Sequence, residues 1–129
     1  DKDSMFNTPP VFAVYACKLS MEWLKSIGGI KEIEKRNRLK AKKLYDEIDN
    51  NELFKGFAAV EDRSIMNVTF NLTDESNKSI FDEISLKKNI SGINGHRSVG
   101  GYRASIYNAL SLESVETLVD AMKQFEKNI

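Results

Sequence analysis

Apolar positions recurring at helical or alternating spacing divide the chain into its elements. Phe12, Tyr15, Leu19, Trp23 and Leu24 recur at three- and four-residue intervals, predicting a first helix over about 5–27 whose aromatic stripe is mostly buried. Asn7-Thr8-Pro9-Pro10 opens it, since Asn7 or Thr8 can cap and proline is tolerated in a first turn, and Gly28-Gly29 supply the stop. A second, amphipathic helix runs from Ile30 to about Asp49, with Ile30, Ile33, Ala41, Leu44, Tyr45 and Ile48 on its apolar side.

Phe54 to Val60 reads as a short strand, and Ser64 to Leu72 alternates cleanly, setting Met66, Val68, Phe70 and Leu72 on one face. Thr73-Asp74-Glu75 opens a helix with Ile80, Phe81 and Ile84 inward and an end near Asn89. A short strand through Ile90 and Ile93 leads into a glycine-rich loop, and Tyr102 to Tyr107 leaves it as another strand. Ser111 caps a last helix bearing Leu112, Val115, Leu118, Val119, Met122 and Phe125. This order predicts an α/β (α+β two-layer) fold, a small, mainly antiparallel sheet covered by helices.

Composition narrows the picture. A chain of 129 residues, 41% hydrophobic, suits one domain over 1–129. With 19 basic and 19 acidic residues there is no global field for nucleic acid or a membrane surface. Lys31, Lys35, Arg36, Arg38, Lys40, Lys42 and Lys43 concentrate positive charge, but Glu32, Glu34, Asp46 and Glu47 offset it, so a solvated helix face is the preferred reading over a nucleic-acid patch. The one cysteine, Cys17, sits among apolar residues and is expected to be buried as a small hydrophobe in a reducing compartment. No apolar run has transmembrane length, and Asp1-Lys2-Asp3-Ser4 lacks signal-peptide character, which points to a cytoplasmic protein without membrane contact. A helix signal within a few residues of a non-methionine start suggests part of a larger protein.

The candidate chemistry lies in Gly92-Ile93-Asn94-Gly95-His96-Arg97-Ser98-Val99-Gly100-Gly101-Tyr102-Arg103, which holds four of the seven glycines and the only histidine. Glycine permits positive φ and close approach to a ligand. Arg97 and Arg103 are planar donors for carboxylate or phosphate, and His96 adds a donor whose charge responds to pH near neutrality. The loop therefore offers an anion site; the alternative is that both arginines make surface ion pairs and His96 is simply exposed.

Three segments read together go further: Asn7-Thr8-Pro9-Pro10, Asp62-Arg63-Ser64-Ile65-Met66-Asn67-Val68-Thr69-Phe70, and Gly95 through Ala109. In this order and spacing they closely resemble the C-terminal part of the phosphoserine aminotransferases, over about Ser4 to Phe125. The resemblance implies a fold-type I enzyme dependent on pyridoxal 5'-phosphate, homodimeric, with active sites at the subunit interface. The first helix, over 5–27, would carry the cofactor-phosphate motif, and residues 30–129 would form the small C-terminal domain beside an upstream large domain. It implies amino transfer from glutamate to 3-phosphohydroxypyruvate, giving phosphoserine and 2-oxoglutarate in serine biosynthesis, with 4-phosphohydroxythreonine in pyridoxine biosynthesis as a sibling use.

Matched residue by residue, Asn7 and Thr8 correspond to positions that reach the cofactor phosphate in the neighbouring subunit's site. His96 and Arg97 correspond to positions that bind the substrate phosphate, also across the interface, and Arg103 to the arginine that holds the substrate α-carboxylate. The Schiff-base lysine, the acidic partner of the pyridine nitrogen and the stacking aromatic lie upstream of these motifs in the family. No lysine here stands in a matching context, so no catalytic residue and no metal ligand is assigned, and the chain alone is expected to be inactive and to bind the cofactor weakly. The alternative is a non-catalytic phosphate- or carboxylate-binding or interaction module on the same scaffold.

Overall fold

A computed structural model describes Asp3 and residues 6–129. Met5, where the first helix was expected to begin, lies outside the described residues. The chain forms two compact units, Asp1–Glu34 and Lys35–Ile129. No helix among the described residues is long and apolar enough to cross a membrane.

In the first unit, α1 spans Val11–Ser26 and starts later than its apolar spacing suggests. A residue that precedes proline is pushed out of the helical region, which keeps Thr8 and Pro9 outside the helix, and Pro10 becomes the N-cap. No side chain caps this end, and neither Asn7 nor Thr8 does so; instead Val11 N–H donates to the Pro9 carbonyl at 2.8 Å. At the other end Gly28 and Gly29 take φ of +108° and +77° and turn the chain into α2, Gly29–Asn50.

Two expectations about α1 are corrected here. None of its residues is buried: Phe12 is 84% exposed, Tyr15 55% and Trp23 40%. Cys17 is exposed as well. Periodicity reports where an apolar stripe runs, whereas burial needs a surface laid against it. Ile30, also expected on the apolar side, is exposed.

The second unit holds the sheet and the core. Strands β1 (Phe54–Gly56), β2 (Asn67–Leu72) and β3 (Tyr102–Ser105) form one antiparallel sheet in that order. Phe54 pairs with Leu72 and Gly56 with Phe70; Phe70 pairs in turn with Tyr102 and Thr69 with Arg103. Helix α3 (Lys78–Lys87) is preceded by a short 3-10 turn over Glu75–Asn77, where the Asp74 carboxylate accepts from Ser76 N–H at 2.9 Å. Helix α4 (Leu112–Asn128) is capped by Ser111, whose hydroxyl oxygen accepts from Ser114 N–H at 3.1 Å, as its sequence predicts.

One face of the sheet and one face of each helix make the core. Val68, Phe70 and Leu72 of β2 lie buried with Phe54, Tyr102 and Ala104 of the flanking strands. Ala41, Leu44 and Ile48 of α2, Phe81 and Ile84 of α3, and Val115, Leu118, Met122 and Phe125 of α4 join them. The rings of Phe54, Phe70, Phe81 and Phe125 meet mostly edge to face at centroid distances of 5.3–6.4 Å, which adds to plain area burial. Only part of the expected pattern changes: Ile80 of α3 is exposed, and in place of a strand through Ile90 and Ile93 there is a single bridge between Asn94 and Tyr102.

The basic helix is not uniformly solvated. Lys40 is 2% exposed, and its ammonium donates to the carbonyls of Ile106, Tyr107 and Leu110 at 3.0, 2.7 and 3.0 Å. Burial lowers its pKa. One turn earlier Asn37 donates to Asn108 at 2.7 Å, so α2 grips the segment linking β3 to α4 at two points. Lys42 and Lys43 behave as the charge pattern suggests, pairing with Asp46 and Glu116 at the surface.

Candidate functional site

The glycine-rich loop folds as a tight hairpin built onto β3. Arg103 N–H donates to the Ile93 carbonyl at 2.6 Å and Gly95 N–H to the Gly101 carbonyl at 2.8 Å. Beyond them the His96 carbonyl accepts from Val99 N–H at 2.9 Å and Gly100 N–H at 2.8 Å, which closes the turn. Two glycines are demanded by space. A Cβ on Gly95 would fall 1.9 Å from the Gly100 carbonyl oxygen, and one on Gly101, where φ is +62°, would fall 1.8 Å from Asn71 Oδ1. No side chain fits at either position.

Strand alternation then sets the direction of each functional group. Tyr102 points into the core, stacked on Phe70 at 5.3 Å and edge-on to Phe81 at 5.1 Å. Its hydroxyl donates to Asp82 at 2.7 Å and accepts from Lys78 at 3.2 Å. Burial, followed by the Asp82 hydrogen bond and the charges of Asp82 and Glu75, pushes this phenol far above its ordinary range, so it remains a protonated donor. Because Tyr102 faces inward, Arg103 must face outward, onto the open side of the sheet, opposite Thr69.

His96 and Arg103 line one cavity of about 150 Å³ together with Phe57, Thr69, Asn71 and Val99. Much of its wall is carbon, contributed by Phe57, Val99 and the glycines. His96 is held by Ser98: the Ser98 hydroxyl lies 2.7 Å from Nδ1 and Ser98 N–H points at the same nitrogen from 3.3 Å. An Nδ1 engaged as acceptor places the proton of the neutral ring on Nε2, which becomes the outward donor. Arg97 sits in the turn beside His96, exposed, and is not part of the cavity wall.

Neither Arg97 nor Arg103 has a carboxylate partner among the described residues. Arg63 shows the contrast: its guanidinium forks onto Asp49 at 2.6 and 2.7 Å, stacks over the Tyr45 ring at 4.6 Å, and draws the Asp49 pKa down through that hydrogen bond. Unpaired arginines on a built hairpin beside a cavity are what an anionic ligand requires.

Asn7 and Thr8 belong to the other unit. Both are exposed before α1, and since neither caps the helix, their amide and hydroxyl are available. The first-turn N–H groups of Phe12 and Ala13 lie beyond them without an intrahelical acceptor. An amide, a hydroxyl and open N–H groups at a helix start suit a phosphate dianion, so these residues fit the phosphate of a pyridoxal cofactor.

Sequence reading missed Phe57, Thr69 and Asn71. Alternation along β2 already turns Thr69 and Asn71 away from the core, but only the register places them beside Arg103 and the hairpin. A larger cavity, about 370 Å³, lies between residues 88–93, the end of β3 and the start of α4. Ile90, Ile93, Ile106, Val115 and Leu118 line it, and none of the candidate site residues does.

The family model for aminotransferase class-V matches residues 1–118. The chain belongs to the class-V aminotransferase family. It is 58% identical over 127 residues to phosphoserine aminotransferase from Flavobacterium psychrophilum, covering 98% of this chain and 36% of that protein. Phosphoserine aminotransferase from Azobacteroides pseudotrichonymphae is 55% identical over 127 residues, with 97% and 35% covered. Among solved structures, phosphoserine aminotransferase from Bacillus circulans subsp. alkalophilus superposes with a TM-score of 0.90 at 41% identity, covering 98% of this chain and 35% of that one. The pyridoxal-phosphate-bound phosphoserine aminotransferase from Trichomonas vaginalis gives 0.83 at 38% identity, covering 94% and 35%. This class-V aminotransferase chain thus spans about a third of the length of the relatives it matches. The resemblance read from three motifs holds, and so does the α/β fold predicted from the order of the elements.

Proposed function

We propose that this chain is the C-terminal, substrate-recognising part of a phosphoserine aminotransferase, which moves the amino group of glutamate onto 3-phosphohydroxypyruvate. The observation that carries the proposal is the tight glycine hairpin, which sets His96 and Arg97 in its turn and Arg103 on the strand that leaves it, with no carboxylate partner for either arginine among the described residues. A substrate with a carboxylate at one end and a phosphate at the other needs two separate sets of donors. Arg103, rigid and planar, takes the α-carboxylate and fixes the plane of the carbon skeleton. His96 and Arg97, adjacent in the turn, take the phosphate of the substrate in the neighbouring subunit's site through Nε2–H and the guanidinium. Specificity follows because donors placed for a phosphate are left unpaired by an analogue that lacks one.

The complete enzyme would use pyridoxal 5'-phosphate, with Asn7 and Thr8 holding its phosphate group across the interface of a homodimer. The cofactor supplies the electron sink that amino transfer needs. Its lysine, the acid at its ring nitrogen and its stacking ring would come from a large domain outside this stretch. On this reading the isolated chain is inactive. The enzyme would work in the cytoplasm, in serine biosynthesis and, with 4-phosphohydroxythreonine, in pyridoxine biosynthesis.

Steady-state kinetics of variants in the complete protein test the assignment. Arg103→Ala should raise KM for glutamate and phosphoserine alike, on the order of tenfold to a hundredfold for a lost charged hydrogen-bond pair. His96→Ala and Arg97→Ala should raise KM for phosphoserine and leave glutamate within about twofold, since only one substrate carries the phosphate. Equal losses for both substrates in all three variants would overturn it.

A further inference from the structure

We propose that Ser98 is a positioning residue for phosphate recognition: its hydroxyl fixes the His96 ring so that Nε2–H faces the phosphate of the substrate in the neighbouring subunit's site. The inference rests on the phosphoserine aminotransferase reading above and deepens it with a residue that touches His96 rather than the substrate.

The turn directs its donors at His96. Three successive backbone N–H groups point there: Ser98 N–H reaches Nδ1 at 3.3 Å, and the N–H groups of Val99 and Gly100 reach the His96 carbonyl at 2.9 and 2.8 Å. A turn whose successive N–H groups were free would cradle an anion on its own backbone. Here those groups are occupied, so an anion meeting the turn is left to the side chains of His96 and Arg97. The Ser98 hydroxyl is occupied in the same way. It lies 2.7 Å from Nδ1, and because that nitrogen already accepts from an N–H it carries no proton, which makes the hydroxyl the donor. Its proton is directed into the loop, and what it presents outward is a lone pair, which an anion avoids.

His96 is exposed, and an exposed imidazole left to itself samples several rotamers, only some of which aim Nε2 at a given point. Two donors converging on Nδ1 hold the ring in one of them. They also fix the tautomer, because only a ring with its proton on Nε2 offers the anion an N–H in place of a lone pair. The hydroxyl is the closer of the two donors and the one that belongs to the side chain, since any residue but proline supplies the N–H. Arg97 needs no such partner, as every nitrogen of a guanidinium is a donor. The effect of Ser98 is therefore carried by His96 alone.

The test measures KM for phosphoserine and glutamate in the complete protein carrying Ser98→Ala, Ser98→Thr, His96→Ala, or Ser98→Ala with His96→Ala. Ser98→Ala should raise KM for phosphoserine about three- to tenfold, as for one lost hydrogen bond, and leave glutamate within about twofold. Ser98→Thr keeps the hydroxyl and should stay within about twofold of the parent for both substrates. In the His96→Ala background, Ser98→Ala should add less than about a twofold rise, because the ring it acts through is gone. A rise there as large as in the parent would mean that the hydroxyl binds the phosphate itself, and the positioning role would be wrong. The role is equally wrong, while the reading of the site stands, if Ser98→Ala affects both substrates alike or neither and His96→Ala still discriminates between them. If His96→Ala affects both substrates alike, the phosphate assignment falls and the role of Ser98 falls with it.

Discussion

The ammonium of Lys40 donates a 2.7 Å hydrogen bond to the carbonyl of Tyr107, and its other protons reach the carbonyls of Ile106 and Leu110, so a buried cation is neutralised by backbone dipoles. These carbonyls lie just past β3, the strand that carries Arg103. Ile106 also extends the β2–β3 ladder through its N–H bond to the Met66 carbonyl at 2.9 Å. The end of β3 is thus held from both sides.

Lys40→Met should keep the packing of the aliphatic stem and leave up to three carbonyls without donors. The expected loss of unfolding free energy is about 3 kcal/mol, from the cost of unsatisfied buried acceptors less the desolvation relieved by removing the charge. Urea denaturation at neutral pH measures it. A midpoint equal to that of the parent would show that the carbonyls find water instead.

The Arg63–Asp49 fork predicts acid sensitivity. Hydrogen bonding to Arg63 holds the Asp49 pKa below its ordinary 3.8 in the folded state. The folded state therefore binds fewer protons than the unfolded one as acid is added, so this stabilisation is present above the unfolded pKa and is lost as pH falls through the folded one. Because Asp49 is about half exposed, solvent screening limits the effect to about 1 kcal/mol. Asp49→Asn should cost that much at pH 7 and nothing at pH 2, read from denaturation curves at the two pH values.

Gly101 and Gly92 share positive φ but differ in surroundings. Gly92→Ala meets open space and bears only the backbone strain, about 1 kcal/mol. Gly101→Ala adds a clash with Asn71 and with the Phe70 carbonyl, so the hairpin must move and carry His96 with it. Phosphoserine binding by the complete protein should be lost in Gly101→Ala and kept in Gly92→Ala. Calorimetric titration separates the two outcomes.

Tyr102→Phe removes the hydroxyl that links the hairpin strand to α3 while Lys78 and Asp82 stay paired at 2.9 Å. With the Asp82 charge still partnered, the loss should be about 1 kcal/mol of stability, the net worth of one hydrogen bond. Thermal unfolding checks this, and a loss above about 3 kcal/mol would mean that the hydroxyl orders the hairpin as a whole.

The sequence by itself determined the elements whose signals are local. The strict alternation of Val68, Phe70 and Leu72, the Ser111 cap and the helical spacing of Val115 through Phe125 all reappear, because strand pleat, cap and helix period depend on neighbours a few residues away. It also contained the glycine hairpin with His96, Arg97 and Arg103, and enough motif to name a family. Tertiary structure alone decided three things. The exposure of α1 and Cys17 depends on what lies against a helix face, which period cannot report. The burial of Lys40 depends on carbonyls 66 to 70 positions away, so a residue that reads as one more surface charge becomes a structural pin. The meeting of Asn71 with Gly101, and of Thr69 with Arg103, depends on strand register, a long-range pairing that no local pattern encodes.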